Sequence, residues 1–272
     1  MPPRRSLFFR VWNRARGLPF IGPRLYQLED FSNQLRFSFL DTSRKEQLLA
    51  ECRGCRTPEQ YVAFANKLLG SHQIPAEIAA FLASVQELQP RRVLEIGTAF
   101  AGTTFLLCQA LPEVKQVIGM DLHIRNKTIL RFFVRSGQNV CLLEASSHSG
   151  KTQERLSRLL AGELLDLLFI DGDHTYQGVK KDFLQYRHFV RKGGSIAFHD
   201  IIPDYKTRFG KSTGRWAGQV PVLWSEIRGW YPTREFVEDP GQDGLGIGVL
   251  TYDPAVALSQ DWERSDIPVS AG

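Results

Sequence analysis

Nowhere in this 272-residue chain do apolar residues run on for the roughly 18 positions that a membrane-spanning helix needs, so no spanning helix is expected. The opening residues include apolar side chains, but arginines interrupt them before they can form the core of a secretory signal. A cytoplasmic location is therefore the expectation. Cysteine is scarce: Cys52, Cys55, Cys108 and Cys141. The first two form a C-x-x-C, a spacing used in zinc and redox chemistry, yet a zinc site needs further ligands at matching spacing. Neither Cys108 nor Cys141 has a partner, and both lie in apolar stretches where a reduced thiol packs as a small hydrophobe. Reduced thiols are expected throughout. Acidic residues are absent before Glu29, so the net charge of +5 gathers at one end. The remainder is close to neutral, which argues against a nucleic-acid-binding core. The G-x-G-x-x-G of dinucleotide-binding proteins is missing as well.

What is present fits a folded protein with a sizeable core: 43% hydrophobic and 23% charged residues are ordinary for a globular chain of one or two domains. Residues 1–56 read as a basic arm followed by helical pieces. Arg4, Arg5, Arg10, Arg14, Arg16 and Arg24 are interleaved with Leu7, Phe8, Phe9, Val11, Trp12, Leu18 and Phe20. Such a segment can lie on an anionic membrane surface, or it can be an arm or a strap packed on a neighbouring subunit of a homo-oligomer. Both readings stand at this point.

Residues 57–272 read as a catalytic domain. Helical spacing covers 58–69, and Pro75 opens a second helix at a position where its missing N–H does no harm. From Arg91 short apolar runs alternate with helix-sized stretches: RRVLEIG, QVIGMD, NVCLLE, DLLFID and GSIAFHD. That alternation predicts a parallel sheet with helices on both faces. Two late runs, REFVED and GIGVLTYD, have no helix between them and fit an antiparallel pair at the sheet edge.

Ligands bind beyond the carboxyl ends of strands in such sheets. After the first run, Glu95, Gly97 and Thr98 form a turn whose glycine allows close backbone approach. An acid at Glu95 suits an amino-bearing ligand better than a pyrophosphate. Asp121 ends the second run, placed to accept from ribose hydroxyls, and Ala145 and Ser146 follow the third. For Ser146 and Ser147, capping of the next helix is an equally good reading. The fourth and fifth runs deliver Asp171, Asp173, His174, His199 and Asp200 to one rim. Carboxylates and imidazoles so close repel unless a cation or proton is shared, so a divalent metal is expected. Oxygen ligands favour Mg²⁺, while a histidine ligand shifts preference toward Zn²⁺, Mn²⁺ or Fe²⁺. The segment 201–220 is long, polar and cationic, and reads as an acceptor-side lid or as disorder.

At VLEIGTAFAGTT, GMD, LLEASS, LLFIDGDHTYQGVKKDF and VRKGGSIAFHDI the chain resembles class I S-adenosylmethionine-dependent methyltransferases. Within them it is similar to the branch holding cephalosporin-hydroxylase-like and macrolide-sugar or rhamnosyl O-methyltransferases. The resemblance spans roughly residues 74–252. It implies a Rossmann-like α/β sheet of seven strands with the last strand antiparallel. It further implies that Glu95, Gly97 and Asp121 bind S-adenosylmethionine, that Ala145 and Ser146 line its adenine, and that Asp171 with His199 and Asp200 holds Mg²⁺. Asp173 or His174 would be the base for a hydroxyl acceptor on a sugar or small secondary metabolite. The sequence departs from the pattern at Ala101, where relatives carry glycine, and at His199, where metal-dependent members carry a carboxylate. The rival readings are an NAD-dependent oxidoreductase, a hydroxylase, and a non-catalytic protein retaining the fold.

Overall fold

A computed structural model describes residues 22–70 and 73–265. The arm residues from Arg4 to Phe20 lie outside the described residues. Helices α1 (Gly22–Ser38), α2 (Thr42–Gly54), α3 (Pro58–Leu68) and α4 (Pro75–Gln86) precede the first strand. Each break has a local cause. Asp41 accepts from Arg44 N to start α2, Thr57 and Gln60 form a reciprocal cap at the start of α3, and Pro75 occupies the first turn of α4.

From there strands and helices alternate: β1 (Arg92–Ile96), α5 (Gly102–Gln109), β2 (Gln116–Asp121), α6 (Lys127–Phe132), β3 (Asn139–Glu144), α7 (Gly150–Leu160), β4 (Leu165–Ile170), α8 (Tyr176–Tyr186) and β5 (Val190–His199). The chain continues with α9 (Tyr205–Phe209), α10 (Val220–Ile227), β6 (Thr233–Phe236), β7 (Ile247–Thr251) and α11 (Gln260–Arg264). The seven strands form one sheet in the order β3-β2-β1-β4-β5-β7-β6. β1 to β5 pair in parallel, and β7 runs antiparallel to both β5 and β6. The expected α/β sheet with its antiparallel seventh strand is therefore present.

Successive side chains of a strand point to opposite faces, and the burial follows. Val93, Val117, Leu167 and Phe169 pack into one layer with α3, α4 and α5. Leu94, Ile118, Leu168 and Ile170 pack into the other with α7, α8 and α10. Phe37, Leu48, Cys52 and Cys55, from the helices preceding residue 57, join the first of these layers. All four cysteines are free thiols. Burial pushes Cys52 up to about 12, which leaves it an inert packing group.

Strand order reverses between β1 and β4, with β2 and β3 to one side and β5 to the other. That is the topological switch point, where the crevice of a doubly wound sheet opens. The turn leaving β1 adopts an unusual backbone. Ala99 and Ala101 have φ of 42° and 64°, and Ala101 is fully buried at the start of α5. A left-handed conformation costs an L-residue roughly 1–2 kcal/mol. Part of this is offset in a glycine by its larger loss of chain entropy. Ala101→Gly is accordingly expected to stabilise the fold by about 0.5–1 kcal/mol, seen as a raised melting temperature.

Candidate active site

Beyond the carboxyl ends of β1 to β4 lies a cleft of about 530 Å³. Gly97, Ala99, Asp121, Ala145, Ser146, Asp171, Asp173, His174 and Trp216 are among the residues lining it. Most of the positions singled out in the sequence thus meet at one edge. Glu95 does not line this cleft. The two-residue period turns it to the face covered by α5, where it is 1% exposed and accepts from the Thr104 hydroxyl. Burial pushes its pKa to about 8, so it carries its proton at neutral pH. Thr98 is also buried, with its hydroxyl beside Gly119.

At Gly97 φ is +95°, and a Cβ there would stand 1.8 Å from the carbonyl oxygen of Asp171. This close approach brings the turns after β1 and β4 together. Asp121 holds the neighbouring wall: its Oδ2 accepts from Ala99 N at 2.8 Å and its Oδ1 from His123 N at 2.9 Å. Ala145 N donates to Asp121 O, and Ser146 Oγ accepts from His148 N rather than capping α7, whose cap position is Ser149.

The end of the cleft toward β5 carries the charge. Asp171 Oδ1 lies 3.2 Å from His199 Nδ1 and 3.4 Å from His174 Nε2. Asp200 Oδ2 lies 3.4 Å from Nδ1 of each histidine. Burial alone would raise the Asp171 pKa, but the imidazoles of His199 and His174 hold it well below the usual carboxylate range. Burial likewise opposes protonation of both histidines, and the two carboxylates override it, raising His174 and, further, His199.

One ligand atom from each of Asp171, His174 and Asp200 lies within 4.8 Å of the others. Two carboxylates and an imidazole at this spacing fit a divalent cation. His199, the third ligand expected from the sequence, is 3% exposed and holds its Nδ1 beside the same two carboxylate oxygens. His174 brings a second imidazole to them from the turn after β4, where Trp216 stacks on it at 5.4 Å.

Several residues not flagged in the sequence hold this arrangement. Gln73 accepts from the Thr103 hydroxyl and donates to Asp171 Oδ2 at 3.5 Å. Asp200, at φ 63°, accepts from the backbone N–H of Leu245, itself at φ 65°. The buried carboxylate of Glu77 accepts from Gly246 N, Glu238 N and Gln242 Nε2, fixing the loop that supplies Leu245. Strain at Asp200 and Leu245 persists because that loop is pinned from α4. No local pattern around Glu77 or Gln73 signals this, since both partners are distant in sequence. The segment 201–220 is ordered by Asp204, which accepts from Thr207 N and Ala217 N, and by Asp243, which accepts from Tyr205 N and the Thr213 hydroxyl.

On the opposite wall His148 Nε2 lies 3.1 Å from the fully buried Asp182. The bond to Asp182 raises the His148 pKa. The pair's contribution to stability is then full below the unfolded value near 6.5 and is lost as pH rises through the raised folded value. The melting-temperature gap between the native chain and His148→Gln should therefore narrow as pH rises above about 6.5.

Residues 94–201 match the profile of a family described as "Methyltransferase domain". An uncharacterized protein of Acanthamoeba polyphaga mimivirus is 36% identical over 146 residues, 51% of this chain and 60% of that protein. The chain thus spans less than two thirds of that relative. Among solved structures, the MycE methyltransferase of the mycinamycin pathway, in complex with Mg, SAH and mycinamycin VI, has a TM-score of 0.51 at 14% identity, covering 73% of this chain and 55% of that one. A Staphylococcus aureus protein provisionally assigned as a caffeoyl-CoA O-methyltransferase has a TM-score of 0.50 at 17% identity, covering 77% of this chain and 100% of that one. The family match covers the strands that build the cleft. Residues 94–201 are thus similar to a methyltransferase domain, and the sheet around them has the strand order of the class I methyltransferase fold.

Proposed function

We propose that this chain transfers a methyl group from S-adenosylmethionine to a hydroxyl oxygen of a small molecule, a sugar or a secondary metabolite, with a divalent cation held by Asp171, His174 and Asp200. The observation that carries this reading is the meeting of a nucleoside-sized cleft with that ligand trio along one sheet edge. Residues 57–272 form the catalytic domain and residues 1–56 an N-terminal extension to it.

Bound S-adenosylmethionine supplies a methyl already activated by its sulfonium, so alignment of donor and acceptor is the main task left to the protein. Gly97 and Ala99 give its tail a bare backbone to lie against, Asp121 accepts from the ribose, and Ala145 and Ser146 flank the adenine. Glu95 acts beneath them as a positioning residue, bracing α5 through Thr104. A cation at the trio supplies charge that lowers the pKa of an acceptor hydroxyl. With an imidazole among its ligands, Mn²⁺, Fe²⁺ or Zn²⁺ competes with Mg²⁺.

Of the two candidate bases, His174 faces the carboxylates of Asp171 and Asp200, and that position suits the ligand set, which it would join as the neutral imidazole. Asp173 stands exposed at the mouth, with Oδ1 accepting from Thr175 N, and is the base on the acceptor side. Trp216 and Leu122, both exposed at the rim, offer the acceptor an apolar edge.

Titration calorimetry with S-adenosylhomocysteine tests the reading. Binding is expected, and it should persist in EDTA, because Gly97, Ala99, Asp121, Ala145 and Ser146, which would hold the nucleoside, are not members of the trio. No binding, or preferential binding of NADH, would overturn the cofactor assignment.

A further inference from the structure

The cleft wall that carries Ala145 and Ser146 continues to a charged pair that the ligand trio does not use. His148 lines the cleft, and its Nε2 lies 3.1 Å from Asp182 Oδ1 and 3.3 Å from Gly178 O. Both neighbours are acceptors, so Nε2 carries a hydrogen. Asp182 is fully buried on α8, and its Oδ2 has no hydrogen bond among the described residues. A buried carboxylate without a partner is costly, and this one has the His148 ring as its counter-charge. It favours the imidazolium over the opposing effects of burial and of Lys181. Nδ1 then carries a hydrogen as well.

The ring is held from several sides. His148 N donates to Ser146 Oγ, and Tyr186 donates its hydroxyl to Ser147 O at 2.6 Å. Gly178 lets the first turn of α8 close on this wall, because a Cβ there would overlap the Asp173 carboxyl group. Its N–H donates to the Thr175 hydroxyl while its carbonyl faces His148. Across the ring, Nδ1 has no hydrogen bond among the described residues. A fixed, unpaired donor on the wall of a nucleoside-sized cleft needs a lone pair from whatever fills the cleft. The ring nitrogens of adenine offer lone pairs, and its amino group offers only hydrogens.

We infer that His148 reads the base of S-adenosylmethionine: its Nδ1–H donates to a ring nitrogen of adenine, and Asp182 is the positioning residue that fixes the ring. This rests on the cofactor reading above and adds to it a residue that selects the base. Selection of this kind is strong, because a base without the acceptor leaves a desolvated donor unpaired.

Titration calorimetry tests it with S-adenosylhomocysteine and three analogues in which C–H replaces N1, N3 or N7 of the base. The native chain is expected to bind one of the three at least about tenfold more weakly than S-adenosylhomocysteine, as for a lost hydrogen bond to a charged group. Asp182→Asn keeps the shape of the side chain, removes the charge, and should shrink that difference to below about threefold. His148→Leu/Asp182→Asn removes ring and charge together, so no unpaired buried charge remains, and it should bind all four ligands alike. A purely structural pair would leave the discrimination among analogues unchanged in both variants. Full discrimination in Asp182→Asn overturns the role of Asp182. A native chain that binds all four ligands equally, or a double variant that keeps the native discrimination, overturns the inference and leaves the cofactor reading standing. A native chain that binds none of the four overturns both.

Discussion

Asp171→Asn is expected to weaken Mn²⁺ binding by at least about a hundredfold while leaving the fold intact. The reason is the number of partners served by one carboxylate. Asp171 Oδ1 faces both His199 and His174, and Oδ2 takes the Gln73 amide. Asparagine keeps the shape and loses the charge, so a cation would have to be held by Asp200 with two imidazoles competing for the same space. The measurement is calorimetric or paramagnetic titration with Mn²⁺, which needs no knowledge of the acceptor. Asp173→Asn serves as the comparison, since Asp173 stands outside the ligand trio and should keep cation affinity while slowing turnover. Equal Mn²⁺ affinity in the native chain and Asp171→Asn would remove the cation from the mechanism.

The second large effect concerns backbone. Gly97→Ala should destabilise the domain by about 4 kcal/mol and abolish binding of S-adenosylhomocysteine. Two costs combine there: a φ of +95°, and a new Cβ placed 1.8 Å from the Asp171 carbonyl oxygen. Gly137 separates them. It has φ of +79° with nothing within 4 Å of the point a Cβ would occupy, so Gly137→Ala should cost only about 1 kcal/mol. Chemical denaturation of the two variants reads the difference directly. If they lose similar stability, the contact between the turns after β1 and β4 is not what holds the cleft together.

How much of this was legible in the sequence depended on distance along the chain. The strands of the parallel sheet were readable because each is a short apolar run ending at a glycine or an acid, as at Ile96–Gly97 and Met120–Asp121. Asp121, Asp171, Asp173 and Asp200 could be placed at one rim because parallel strands end on the same side. Glu95 was the misleading case. It lies one residue before the end of β1, and the alternation of the strand turns it under α5 instead of into the cleft. That His174 joins His199 beside the two carboxylates could not be read from spacing, since its place depends on the turn after β4 and on Trp216, 42 residues away. Gln73 and Glu77 gave no signal, because a buried side chain that braces a distant loop looks like any other polar residue on a helix. The length, glycines and cations of 201–220 suggested an acceptor-side lid; the acceptors that hold its backbone, Asp204 and Asp243, gave no such signal.

Under the proposed function Asp171 and His174 serve both the nucleoside cleft and the cation, so occupancy on one side would be felt on the other. Thermodynamic reciprocity then fixes the size of the effect in both directions: whatever factor the donor changes in affinity for the ion, the ion changes in affinity for the donor. Loading order would follow from cellular concentrations alone. Exchange of spent donor for fresh could also be tuned by ion supply, with no separate regulatory domain.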